Sequence, residues 1–152
     1  MSCLLNLKRI KKKSNEGKTD YSNRRKNDFI AMTSLSLNYR GLPVYFNLLD
    51  KGIDECYEKF TVGLERYHST KKPDFRRVER LEWIYEIINK INNCEVCSEY
   101  RFGRSKGKNL IYCVEKQYLI VLKRMSNCYI VVTAYSVNND KNQQEKYKNM
   151  TE

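Results

Sequence analysis

The segments Lys116-Gln-Tyr-Leu-Ile-Val-Leu-Lys-Arg124 and Cys128-Tyr-Ile-Val-Val-Thr-Ala-Tyr135 decide how this chain folds. Each is a run of β-branched, aromatic and aliphatic residues, the composition that packs well on a pleated surface. Only Met125-Ser-Asn127 separates them, enough for a tight connection, so the pair reads as a β-hairpin near the centre of a sheet. On the second strand Thr133 and Tyr135 flank Ala134 and take the opposite face. Both residue types form strands readily, and packing alone accounts for many such positions. A core needs no hydroxyls, however, so the two side chains also stand as candidates for a site.

Working outward, residues 99–104 and 110–114 read as two further strands, joined by the Ser105-Lys-Gly-Lys108 turn. The clearest helix covers residues 75–91, where Phe75, Val78, Leu81, Ile84, Tyr85, Ile88 and Ile91 form one apolar stripe and Asp74 is a suitable N-cap. Trp83 falls beside that stripe. A second helix fits residues 53–64 through Ile53, Cys56, Tyr57, Phe60 and Leu64. Gly41-Leu-Pro43 marks a turn, residues 29–37 leave their element open, and the tail from Asn138 is polar and compatible with a helix. Strands joined by short turns pair antiparallel. The expected fold class is therefore α+β: two helices packed on one face of a four-stranded antiparallel meander, with a basic flexible N-terminal arm. Residues 1–28 form the arm in this reading, and residues 29–152 a single domain.

Charge limits the choice of partner. The 152 residues carry a formal net charge of +11. Residues 8–26 alone hold nine basic and two acidic side chains, with few apolar ones, which predicts a segment disordered when free. It reads as a phosphate-contacting arm or as a solubilising tail. Such a surplus favours a polyanionic partner: nucleic acid, an anionic membrane surface or an acidic protein. No apolar run approaches the roughly 20 residues needed to span a bilayer. The apolar patch Cys3-Leu-Leu-Asn-Leu7 precedes the basic cluster, the reverse of secretory-signal order, so a cytoplasmic location is expected, in the protein's own cell or a target's.

Six cysteines are present, including the lone pair Cys94-Glu-Val-Cys97. A structural zinc site wants four ligands, and no second such pair supports one. Reduced thiols, no metal and no cofactor are the expectation. A P-loop, a Rossmann glycine pattern, a Ser–His–Asp order and a carboxylate metal cluster are all missing from the sequence. ATP phosphoryl transfer, dehydrogenation and two-metal nuclease chemistry are thereby disfavoured.

The run Asp74-Phe-Arg-Arg-Val-Glu-Arg-Leu-Glu-Trp-Ile84, the strand Tyr118-Leu-Ile-Val-Leu122 and the ending Val132-Thr-Ala-Tyr135 together resemble the phage-type nuclease domains of the barnase–EndoU–colicin–RelE-like ribonuclease fold (BECR fold). The resemblance covers roughly residues 65–148. It implies metal-independent RNA cleavage or, in degenerate members, RNA binding without cleavage.

That chemistry needs a base, an acid and cations, because the substrate's own 2′-hydroxyl is the nucleophile. His68 is the only side chain with an unperturbed pKa near neutrality, and it lies among cations and hydroxyls in Arg66-Tyr-His-Ser-Thr-Lys-Lys72. A solvated loop histidine would look the same. Arg76, Arg77 and Arg80 open the long helix, where cations oppose the macrodipole unless an anion compensates. Arg76 and Arg80 sit four apart and would grip one phosphate from a shared face. The expected catalytic set is His68, Arg76, Arg80, Thr133 and Tyr135. The expected nucleic-acid-binding set is Lys71, Lys72, Arg77, Arg101, Arg104, Lys106, Lys108 and Lys123. The function expected is a metal-independent ribonuclease acting as a toxin or mobile-element effector, with RNA as partner and an acidic antitoxin or immunity protein as a second. The alternative is a non-catalytic basic protein that uses the same surface to bind RNA or to inhibit a defence system.

Overall fold

A computed structural model describes residues 7–46, 52–62, 74–93 and 99–152. His68, Lys71, Lys72 and the Cys94–Cys97 pair lie outside the described residues.

The element order is α1 (Lys18–Thr33), β1 (Asn38–Tyr39), β2 (Leu42–Phe46), α2 (Gly52–Val62), α3 (Phe75–Val78), α4 (Trp83–Asn92), β3 (Tyr100–Ser105), β4 (Lys108–Cys113), β5 (Tyr118–Arg124), β6 (Tyr129–Ser136) and α5 (Lys141–Lys148). The expected architecture needs correcting. Among the described residues the sheet has six strands in the order β1-β2-β6-β5-β4-β3, and it is mixed because β2 runs parallel to β6. Five helices among the described residues accompany it, in place of two on a four-stranded meander. β3 to β6 do pair antiparallel in sequence order. The β1–β2 hairpin extends that unit across the free edge of β6. The sheet also curls. Arg40, in the β1–β2 turn, lies 5.4 Å from the ring centroid of Phe102 on β3, although β1 and β3 end the strand order.

Two of the connections are two-residue turns with positive φ at both central residues, Arg40-Gly41 and Lys106-Gly107. That geometry matches the twist of the strands it joins, and glycine takes the second position without steric cost.

The segment expected to be a flexible arm is folded from residue 18 onward. Tyr21, Arg25, Phe29 and Met32 recur at helical spacing on the buried side of α1. Phe29 meets Phe46, Tyr57 and Phe60 at ring-centroid distances of 5.5, 5.7 and 5.6 Å. Burial of each such side chain contributes roughly 1.5–3 kcal/mol. The residues before α1 are tied down as well. The Ile10 amide donates to the Glu79 carbonyl, and the Trp83 indole donates to the Lys8 carbonyl, both at 2.9 Å.

The single helix expected over residues 75–91 is interrupted between Val78 and Trp83. Outside donors occupy its carbonyls there. Arg25 donates to Val78, Ile10 to Glu79 and the Tyr118 hydroxyl to Arg80. The Trp83 amide turns to the Arg80 carbonyl, an i−3 contact that winds the backbone more tightly than the helical i−4 one.

The main core lies between α1, α2, α4 and the inner face of the sheet, with Trp83 buried inside it. α5 covers part of the outer face, where Leu110, Tyr112, Leu119, Val121 and Val137 pack with Tyr147. Among the described residues, no helix is long and apolar enough to cross a membrane.

Glu16 clasps the start of α1. Its carboxylate accepts from Arg24 Nε and Nη2, both at 2.9 Å, and from the Lys13 amide at 3.0 Å. The Arg24 hydrogen bond, then the Lys13 amide, hold the carboxyl at about 2 against an ordinary 4.5. A depressed carboxyl pKa stabilises above the unfolded value and ceases to do so as pH falls through the folded one. The clasp should therefore be intact at pH 7 and open as pH drops from about 4.5 towards about 2. The Lys13 amide resonance should report a midpoint near the lower value; a midpoint near the ordinary one would mean that the clasp does not form.

Candidate nucleic-acid interface

A cavity of about 260 Å³ opens where α3 meets the turn from β6 to α5, and its walls include Asp74, Arg76, Arg77, Tyr135, Asp140 and Gln143. Two helix starts build it. Asp74 caps α3 by accepting from the Arg76 amide at 2.9 Å. Its own amide donates to the Thr61 carbonyl at 2.7 Å, which fixes the start of α3 against the end of α2. Asp140 caps α5 by accepting from the Gln143 amide at 3.0 Å. Both carboxylates are thus engaged by backbone donors.

The cations follow from those caps. Arg76, well exposed, reaches back so that Nη2 stands 3.3 Å from Asp74 Oδ2. Arg77 points at the sheet. Its Nη1 donates to Thr133 Oγ1 at 3.5 Å, and its Cζ lies 5.0 Å over the Tyr135 ring. The ring and the Thr133 hydroxyl position the guanidinium, whose fork matches phosphate oxygens. Tyr135 also hydrogen-bonds Tyr147, whose hydroxyl is pushed up to about 12, chiefly by burial and then by the Tyr135 side chain. Two arginines face two aspartates, so the local charges balance. The pull on an anion comes from guanidinium geometry here and from the charge surplus of the whole chain.

A bulge explains why these groups meet. Val121 pairs with Thr133 and Leu122 with Val131, leaving Val132 as an extra residue in β6. Thr133 and Tyr135 consequently share the outer face, away from the α4 core that holds Ala134. Among the described residues β2 pairs with residues 129–131, and α3 contacts β6 as well.

The expected site residues separate into three groups. Arg76, Arg77, Thr133 and Tyr135 converge. Arg80 leaves the set: it is 6% exposed, donates to the Arg76 carbonyl at 2.5 Å and lies over Trp83. Burial lowers its pKa first, before the neighbouring charges act. It props the α3–α4 break, so the shared face with Arg76 expected from four-residue spacing does not form. Arg101 is anchored at the α5 end, donating from Nε to the Lys148 carbonyl at 3.1 Å. Arg104, Lys106, Lys108 and Lys123 gather at the opposite end of the sheet from Tyr135. The sequence reading missed Asp140 and Gln143. The signal was there, since an aspartate followed three residues later by glutamine before a helical stretch is a capping pattern.

Comparison of the chain with protein-family models, with curated proteins and with solved structures returns no significant match. The likeness to BECR-fold ribonucleases rests on the quoted motifs alone.

Proposed function

We propose that the chain acts on RNA and that the cavity between α3 and the β6–α5 turn takes a backbone phosphate. The observation that carries this reading is the convergence of Arg76, Arg77 and Tyr135 at one cavity in a chain of net charge +11. Arg77, over the Tyr135 ring and bonded to Thr133, is the group suited to hold two phosphate oxygens.

In the catalytic form of the proposal the RNA 2′-oxygen attacks phosphorus, a base takes its proton and the 5′-oxygen departs with another. Arg77 stabilises the pentacoordinate phosphorane, Tyr135 offers a hydroxyl to an oxygen that gains charge, and His68 carries a proton. The second reading is RNA binding without cleavage. Favouring it, the cavity's two carboxylates are already engaged as helix caps.

Incubating purified protein with RNA in excess EDTA tests both. Strand cleavage under chelation supports the catalytic form. Retention of intact RNA supports binding alone. Neither cleavage nor retention at low salt overturns the proposal.

A further inference from the structure

α5 leaves the hairpin end of the sheet's outer face uncovered. There the strand register aligns one row: Tyr45 beside Ile130, Ile130 beside Lys123, Lys123 beside Lys108. Neighbours of these residues, Val44, Phe46, Tyr129, Val131 and Leu122, point the other way into the main core. The row therefore faces outward. Tyr45 is 57% exposed, and Lys123, two strands away across Ile130, is exposed as well.

The rim is strongly basic. Arg104, Lys106 and Arg124 join Lys108 and Lys123 at the ends of two adjacent hairpins. No acidic residue occurs from 100 to 114 or from 116 to 139. Lys108 and Lys123 are directly opposite each other, an arrangement that costs stability when nothing neutralises it. An exposed aromatic ring in one outward row with two lysines that make no ion pair among the described residues matches a strand with unstacked bases and one phosphate per nucleotide. A duplex hides its bases and has no use for the ring.

We propose that this row is a platform for single-stranded RNA, with a base stacked on Tyr45 and the backbone running over Lys123 and Lys108. The inference deepens the RNA reading given above and rests on it. Ile130 and Tyr135 lie on the same strand five residues apart, so about 17 Å separates platform from cavity along β6. One RNA strand would lie across both.

The test is binding of the full chain to a labelled oligouridine and to an RNA duplex across several salt concentrations. Tyr45→Ala should weaken oligouridine binding by about tenfold and leave the duplex unchanged, and Tyr45→Phe should restore it. Lys108→Gln and Lys123→Gln should each lower the slope of log affinity against log salt by about 0.7. Unaltered oligouridine binding in all of these variants, with wild-type binding intact, overturns the platform and leaves the RNA reading standing. Equal losses on oligouridine and duplex overturn base stacking. No binding of either RNA by the wild type overturns both proposals.

Discussion

Replacing Arg25 with alanine is expected to destabilise the protein by about 3 kcal/mol, lowering Tm by about 6–12 °C. Arg25 has no solvent exposure, yet it carries a charge. Nη1 donates to Asp28 at 2.7 Å and to Glu82 at 2.6 Å, Nη2 reaches the other Glu82 oxygen, and Nε and Nη2 share the Val78 carbonyl at 3.1 and 3.0 Å. Burial alone would lower its pKa. The hydrogen bonds and charges of Glu82 and Asp28 outweigh that and hold it above the ordinary value. Without the guanidinium, Glu82 is left beside an apolar core and the α3–α4 break loses its bridging donor. Glu82 and Asp28 keep some solvent contact, which places the cost at the lower end for a broken buried pair. Arg25→Lys should fall between, because one ammonium cannot span the fork. Deleting residues 1–26 removes the same group together with buried Tyr21 and should fail to fold. Thermal melts of the three variants check this, and an alanine variant as stable as the wild type would show that Arg25 does not tie α1 to the break.

The second large effect is expected at Arg77. Arg77→Gln should weaken RNA binding roughly 10- to 100-fold, the range of one or two lost charge-assisted hydrogen bonds. If the RNA is cleaved, turnover should fall by about 10²-fold or more. Arg77→Lys keeps the charge but loses the guanidinium contact with the Tyr135 ring and the fork, so it should recover only part of the affinity. Arg80→Gln should instead act on stability, since that side chain packs on Trp83 away from the cavity. A melt beside each binding curve separates the two effects. Equal RNA affinity in wild type and Arg77→Gln would remove Arg77 from the site.

Much of the sheet was legible because its signals are local. The β5–β6 hairpin announces itself through two apolar runs and a short turn, and Gly107 marks the turn before it. The β2–β6 pairing is parallel and joins residues far apart in sequence, so no local pattern encodes it. Val44-Tyr45-Phe46 does alternate, but three residues after a proline are too few to argue a strand. α1 was hidden by composition, since nine cations in residues 8–26 read as disorder. Yet Tyr21, Arg25, Phe29 and Met32 already held a helical spacing, obscured only because one buried position carries a charge. The continuous stripe over residues 75–91 concealed the break at Val78 because the donors causing it, Arg25, Ile10 and Tyr118, come from other elements.

The site followed the same division. Period-two alternation was enough to put Thr133 and Tyr135 on one face, and the cation cluster on α3 pointed to Arg76 and Arg77. Arg80 could not be sorted from them, because only the α3–α4 break turns it inward. The basic residues 104–123 read as one binding set with Arg77, whereas strand direction sends them to the other end of the sheet.

Hydrogen–deuterium exchange of the full chain with and without a single-stranded RNA tests the central claim most directly. The account predicts slowed exchange over residues 74–78 and 135–143, the segments that form the cavity. RNA that binds without protecting either segment would contradict it.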